Sequence, residues 1–424
     1  MKRTQNEKIL QIKNDTLVVG VDIAKKTHYA RAFNNRGIEL GKLLKFENTA
    51  LGFASFDAWL QGLQQKHEMT EVIVGFEPTG HYWFNLGDHL DKCGHKLAIV
   101  NPFHVKCARE LDDNSPSKSD RKDPKTIGML VKDGRYRDVY IPKGVYQELR
   151  ELVCERERLQ ERLGALSNQI VRWLDIYFPE FVTVFKDWRG KAAWIALRHF
   201  STPRRMVEAG AQEILRIWRN EIKRPSLKKA EVLCLKASES IGRIRGSGSA
   251  VRALQNVMTE YELLTLQMKQ IEELMEEYLL KVPNAAALSA IKGVGMVAVA
   301  TIVSEIGDIL RFKDSRQVIK YAGLNLRENS SGKHKGKTTI SKRGRRRLRR
   351  VLYQTMIPIL ATNSEFRSLH KRNITRTQNP LTKMQSLIAL CGKFVRVIFA
   401  LLSKGIEYDP EKIRIEELGL MQAA

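Results

Sequence analysis

Cysteine is scarce in this chain: five among 424 residues, at positions 93, 107, 154, 234 and 391, with no C-x-x-C pair. Such spacing offers neither a disulfide framework nor a cysteine zinc site, and makes the cytoplasm the default compartment. Long apolar runs are missing too. No stretch approaches the roughly 18 uninterrupted apolar residues that a membrane helix needs. The opening residues, Met1 to Glu7, run into charged sequence without the apolar core of a signal peptide. Proline is sparse at 12, and 43% of the residues are hydrophobic, which excludes global disorder. Acid is in short supply, with 47 Asp and Glu against 72 Lys and Arg, so the formal net charge is +25. The length fits about two to three domains with substantial cores.

The excess charge is concentrated in one place. Residues 1–144 carry net +5, residues 145–285 net +4, and residues 286–424 net +16. So basic a block suggests a polyanion partner. Its densest part, Lys342 to Arg350, has seven basic residues in nine. Leu348, Val351, Leu352 and Met356 thread a helical apolar stripe through it, which favours a folded phosphate-binding surface over a solvated tail. The expected phosphate contacts are Lys333, Lys342, Arg343, Arg345, Arg346 and Arg349.

The hydrophobic pattern predicts an α/β region followed by helices. Leu17–Ala24 reads as a buried strand, and Thr27–Phe33 and Ile38–Phe46 as two more joined by Asn34-Asn35-Arg36-Gly37. A helix over Leu51–His67, a strand over Glu71–Glu77, a helix over Tyr82–Lys92 and a strand over Lys96–Val100 follow. Three strands, helix, strand, helix, strand is the order of a ribonuclease-H-like domain, a mixed sheet flanked by helices. From about residue 145 the period changes. Leu149, Leu152, Leu159, Leu163, Leu166, Ile170 and Trp173 follow a three-four spacing that Arg156 interrupts. Leu254, Val257, Tyr261, Leu264, Met268, Ile271, Met275 and Tyr278 follow it unbroken, a coiled-coil signal. The two helices suggest an antiparallel hairpin, an oligomerisation arm, or both. Between them, residues 176–253 look helical and end in a flexible stretch, Arg245 to Ser249. Past Pro283, the Gly293-Val294-Gly295 turn between two short apolar helices resembles a helix-hairpin-helix, whose turn amides meet backbone phosphate. A plain packing unit fits that turn about as well.

The chemistry centres on acids. Asp22 and Glu77 each end an apolar strand, and Asp120 and Asp123 lie in Ser119-Asp120-Arg121-Lys122-Asp123-Pro124. Taken singly, each strand-end acid reads as an ordinary solvent-facing residue. Together they would repel one another unless divalent cations sit between them. Mg²⁺ or Mn²⁺, held by carboxylates and substrate phosphate oxygens, is the natural occupant, and such ions serve phosphodiester chemistry. Pro124 fits best at the first helical position, which makes Asp123 an N-cap and leaves Asp120 in the preceding loop. The histidines give no competing zinc pattern, and His81 reads as a substrate-side or packing residue.

Four segments now stand in one order: Val19-Gly20-Val21-Asp22-Ile23-Ala24-Lys25, Glu77-Pro78-Thr79-Gly80, Lys118 to Asp123, and Gly323-Leu324 through Ser331-Gly332 to Ile340-Ser341-Lys342-Arg343-Gly344. The ordered set resembles the DEDD transposases of insertion sequences, related to the Piv/MooV DNA invertases, over about 17–135 and 285–395. The resemblance implies a RuvC-like metal domain (1–144), a coiled-coil arm (145–285) and a C-terminal domain (286–424) with a nucleophilic serine. Its metal carboxylates would be Asp22, Glu77, Asp120 and Asp123. The serine would be Ser331, which precedes Gly332, with Ser330 adjacent. Also implied are donor and target double-stranded DNA, a structured bridge RNA as guide, and a dimer or tetramer. The proline after Asp123 and the long middle segment depart from the family pattern. Two other readings use the same residues. A Holliday-junction-type nuclease would need the carboxylates but not Ser331, and a non-catalytic nucleic-acid scaffold would need neither.

Overall fold

The computed structural model describes residues 4–113, 121–327, 330–331, 334–335 and 338–411, with 111–113, 247, 330–331 and 334–335 described by backbone alone. The chain divides into two compact units, residues 1–142 and 143–424.

The first unit opens with α1 (Gln5–Ile9), whose start is closed by a capping box between Thr4 and Glu7. Then come β1 (Thr16–Asp22), β2 (Thr27–Phe33), β3 (Glu39–Glu47), α2 (Ala50–His67), β4 (Glu71–Phe76), α3 (Phe84–Lys92), β5 (Lys96–Val100), α4 (Pro102–Asp113), α5 (Asp123–Lys132) and β6 (Tyr136–Asp138). They form a six-stranded mixed sheet in the order β3-β2-β1-β4-β5-β6. The β1–β2 and β2–β3 pairs are antiparallel, while β4 runs parallel to β1 and β5 parallel to β4. The three-residue β6 pairs antiparallel with β5 at the edge, and is too short to leave a hydrophobic period in the sequence. Leu17, Val19 and Val21 of β1 pack with Phe56 and Leu60 of α2 and Leu86 and Leu90 of α3. Val18 packs with Ile127, Leu130 and Val131 of α5. Both faces of β1 are thus covered, which explains its continuous apolar run.

In the second unit, α6 (Val145–Tyr177) and α11 (Ser247–Leu280) pack against each other. Arg156 meets Glu272 at 2.7 Å, Arg162 meets Glu260 at 3.2 Å, and the Trp173 indole donates to the Ala250 carbonyl at 2.9 Å. Partners that descend along one helix as they ascend along the other make the pair antiparallel. The eight heptad residues of α11 are all buried or half-buried, and Leu264 and Met268 close on Leu159 and Leu166. The seam therefore finds a partner within the same chain. Arg156, which breaks the apolar pattern of α6, is accommodated by reaching Glu272.

Between these helices α7 (Phe181–Val184), α8 (Lys191–His199), α9 (Pro203–Glu221, broken at Gly210) and α10 (Leu227–Ser238) build a separate core around Phe178, Phe181 and Trp218. The stretch expected to be flexible instead begins α11. Gly246 takes the left-handed conformation (φ 75°) that turns the chain, and the helix starts at Ser247.

The remainder comprises α12 (Ala286–Ser289), α13 (Met296–Ile306), α14 (Ser315–Ala322), four two-residue strands, α15 (Arg346–Thr362), α16 (Ser364–Thr375) and α17 (Lys383–Lys404). The strands are β7 (Leu326–Arg327), β8 (Ser330–Ser331), β9 (His334–Lys335) and β10 (Thr339–Ile340). Among the described residues α17 alone is long and apolar enough to span a bilayer. It carries Lys393 and Arg396, and it buries Leu390, Phe394, Ile398 and Leu401 in the core of this unit. Core burial accounts for its hydropathy.

Two leucines on α11 test the helix pair. Leu264 is 1% exposed and Leu263 52%. Leu264→Ala should cost about 3 kcal/mol of unfolding free energy in urea, as buried leucine truncations do. Leu263→Ala should stay within about 0.5 kcal/mol of the parent.

Candidate functional site

Parallel pairing sets Val21 of β1 beside Phe76 of β4. The next residue on each strand is acidic, so Asp22 and Glu77 leave the sheet side by side at its carboxyl edge. Both line a cleft of about 460 Å³ together with Asp123 from the start of α5. Lys25, Lys106 and Arg109 line the same cleft and give it cations suited to phosphate. Arg109 donates to Asp123 Oδ2 at 2.8 Å. Asp123 is only 4% exposed, and its buried Oδ1 has no hydrogen-bond partner among the described residues. A buried, unsatisfied carboxylate oxygen is costly, and a bound cation or a further donor would satisfy it. Three carboxylates, all hard oxygen donors, fit a divalent metal such as Mg²⁺ or Mn²⁺.

Backbone packing brings Asp123 there. A Cβ on Gly20 would stand 1.9 Å from the Pro124 carbonyl oxygen and 2.6 Å from the Gly128 nitrogen. Gly128 in turn has room for hydrogen only, because a Cβ there would meet the Phe33 ring at 2.7 Å. Two glycines, 108 positions apart in the numbering, let α5 lie directly on β1. Asp123 is the first residue of α5 rather than its N-cap, which is Lys122, and Pro124 follows it. Its carboxylate makes no capping bond and stays available to the cleft. Asp120 lies outside the described residues. His81 is exposed and its ring leans on Tyr82, 4.4 Å between centroids; Tyr82, not His81, lines the cleft.

The serine segment belongs to the second unit. β7 pairs with β10 in antiparallel register, Leu326 opposite Ile340. Ser341 donates its backbone N–H to the Asn325 carbonyl at 2.8 Å, and Lys342 donates to Gly323 at 3.1 Å. A Cβ on Gly344 would meet the Tyr321 carbonyl oxygen at 2.4 Å, so this glycine allows the two ends of the segment to close. The closed ends carry the hairpin of β8 and β9, in which Ser331 pairs with His334. Lys333 lies outside the described residues.

The basic run divides by partner. Arg345 and Arg347 both reach Glu305 of α13, at 3.4 and 3.1 Å, and Glu305 is only 3% exposed. Arg347 also meets Glu157 of α6 at 2.8 Å, and Arg350 pairs with the same carboxylate. Burial opposes the charge on Arg347, but Cys154, Glu157 and Glu305 together hold its pKa above the ordinary arginine value. Arg349 donates to the carbonyls of Ala322 and Lys342. Lys342, Arg343 and Arg346 are exposed. The turn at Gly293 packs its backbone against Pro358 and Ile359 of α15, and its positive φ of 92° requires glycine.

Two family models match separate stretches of the chain, and both describe transposases. One, a DEDD transposase model, matches residues 19–179, and the other, the transposase IS116/IS110/IS902 family, matches residues 285–371. Together they cover more than half of the sequence, and the chain belongs to this IS110/IS116 family of insertion-sequence transposases. It is 22% identical to an insertion element IS110 protein of Streptomyces coelicolor, over 92% of this chain and 95% of that one. It is 25% identical to the transposase for IS1111A of Coxiella burnetii, over 93% and 92%. A pilin gene-inverting protein of Moraxella lacunata is 21% identical over 92% and 97%. Membership implies recombinase activity on DNA, and the DEDD description suggests use of a divalent metal.

Gly20→Ala should destabilise the protein by about 3 kcal/mol or more in denaturant unfolding, because the added methyl meets backbone on both sides. Within the basic run, Arg347→Ala should cost about 1–3 kcal/mol, because it takes a hydrogen-bonded partner from buried Glu305 and leaves it only Arg345 at 3.4 Å. Arg346→Ala should leave stability unchanged and flatten the plot of log DNA affinity against log salt by about one unit.

Proposed function

We propose that this chain is a site-specific DNA recombinase that joins insertion-element and target DNA through metal-dependent attack by Ser331, with a phosphoserine intermediate. The convergence of Asp22, Glu77 and Asp123 on one cationic cleft carries this reading. The proposed class of the first unit is ribonuclease-H-like, or RuvC-like. Its support is the order β3-β2-β1-β4-β5 with β2 antiparallel and acids at the ends of β1 and β4. Asp22, Glu77 and Asp123 would hold Mg²⁺ or Mn²⁺, with Asp120 assigned by resemblance. When bound, such ions polarise phosphoryl oxygens and stabilise the charge that develops in phosphodiester exchange.

The protein's own groups divide the remaining work. Lys25, Lys106 and Arg109 neutralise backbone phosphate at the cleft, and Arg109 orients Asp123 through their 2.8 Å pair. The hydroxyl of Ser331 attacks phosphorus, its O–H proton passes to a base or solvent, and the departing strand leaves with its oxygen. The phosphodiester bond is conserved as phosphoserine, so strands rejoin without a high-energy cofactor. Gene inversion, named for the Moraxella relative, needs such rejoining. Exposed Lys342, Arg343 and Arg346, with Lys333, supply contacts to DNA and to a structured guide RNA. Arg345 and Arg349 act in this reading by holding the segment's shape, alongside any phosphate they meet. The Gly293–Gly295 turn is read as helix-hairpin-helix-like. The α6–α11 pair is read as a coiled-coil arm, and the active form as a dimer or tetramer.

Asp22→Ala and Glu77→Ala should abolish recombination while binding of nucleic acid persists, and removing a like charge should leave thermal stability without Mg²⁺ equal or slightly higher. Incubated with guide RNA, DNA and Mg²⁺, the parent should give a covalent protein–DNA adduct on a denaturing gel, and Ser331→Ala none. Adducts that persist in Ser331→Ala but vanish in Ser330→Ala would move the nucleophile by one residue. DNA cleavage by both variants would replace the serine mechanism with the junction nuclease.

A further inference from the structure

The first unit contains a second set of metal-ligating side chains that the cleft does not use. Asp57 projects from α2, and His89 and Cys93 stand four residues apart along and just past α3, hence on one helical face. His89 Nε2 lies 2.9 Å from Asp57 Oδ2 and 3.8 Å from Cys93 Sγ. The donor atoms of all three residues lie within 4.8 Å of one another. Around a tetrahedral zinc ion, bonds of about 2.0–2.3 Å put neighbouring donors about 3.3–3.8 Å apart. The three atoms bracket that separation.

A second observation points the same way. Asp57 Oδ1 is buried with no hydrogen-bond partner among the described residues, so its pairing with His89 leaves the carboxylate half satisfied. An ion at this point would satisfy it. Phe53 packs on the His89 ring at 5.1 Å between centroids and fixes its orientation, while Cys93 is exposed and gives solvent access. One sulfur, one imidazole nitrogen and one carboxylate form a mixed soft and borderline set. Such a set favours Zn²⁺ over the Mg²⁺ that the all-oxygen cleft suits.

We propose that Asp57, His89 and Cys93 bind Zn²⁺, with water completing the shell, in a site that clamps α2 to α3. On binding, the Cys93 thiol proton leaves to solvent and the His89 N–H moves to Nδ1, so that Nε2 presents its lone pair. The bound charge is then balanced by thiolate and carboxylate. Sequence spacing could not reveal the site, because Asp57 stands 32 positions before His89 and joins it only when both helices pack on the sheet.

The test uses the full-length chain, stripped with chelator and titrated with Co²⁺ as a spectroscopic stand-in. One Co²⁺ per chain should develop a thiolate-to-cobalt charge-transfer absorption that added Zn²⁺ abolishes. Cys93→Ser should lack the band, and His89→Ala and Asp57→Asn should weaken Co²⁺ binding by about tenfold or more. Asp22→Ala and Cys107→Ser should keep the band, which separates this site from the cleft and from the other thiol of the unit. Zn²⁺ should also raise the thermal midpoint of the parent but not of Cys93→Ser. The absence of a charge-transfer band in the parent, or a band that survives Cys93→Ser, would overturn the proposal, whatever the outcome for recombination.

Discussion

The architecture of the first unit depends on one close backbone approach, that of α5 to β1 at Gly20. Where a methyl would stand, the Pro124 carbonyl and the Gly128 amide already lie. Gly75 of β4 extends the same seat, since a Cβ there would meet Val131 at 2.3 Å. None of these glycines has any chemistry to offer. Their lack of side chains lets Ile127, Leu130 and Val131 close the core on that face and brings Asp123 to the carboxyl edge beside Asp22 and Glu77. The shared cleft of the three carboxylates is therefore a matter of steric permission.

In the second unit a buried acid organises the basic run. Glu305 sits among apolar neighbours on α13, where an unpaired carboxylate would be strongly unfavourable. Arg345 and Arg347 compensate it, and Glu157 ties Arg347 and Arg350 to α6. The side chains that give the run its charge thus serve two ends. Some are spent bracing α13, α15 and α6, and Lys342, Arg343 and Arg346 remain toward solvent. The net charge of the last third overstates what a polyanion meets directly, although the long-range field still includes every paired charge.

The two metal assignments differ in chemistry as well as position. The cleft offers oxygen alone, with cations arranged around it, and suits a hard ion shared with phosphate. The Asp57, His89 and Cys93 set offers sulfur, nitrogen and oxygen at the junction of two helices, and suits an ion that holds structure. Different ligand types would let one small unit keep the two proposed roles apart.

Local pattern determined much of this protein. The strands, the long helices and the acids at the ends of β1 and β4 were legible because burial imposes a period on neighbouring residues. The four ordered segments made the transposase family legible as well. Other features depend on residues far apart in the chain, and no period records them. Proline's preference for the first helical turn points to Asp123 as an N-cap; in the structure Asp123 is the first residue of α5, and its carboxylate pairs with Arg109 instead of capping the helix. The run shows seven cations, whereas the acids that pair with part of it, Glu305 and Glu157, lie about 40 and 190 positions away. Asp57, His89 and Cys93, proposed to bind zinc, share no sequence motif that would have marked them. Periodicity reports which face of an element is buried, whereas the partner that face meets is decided only when the elements pack.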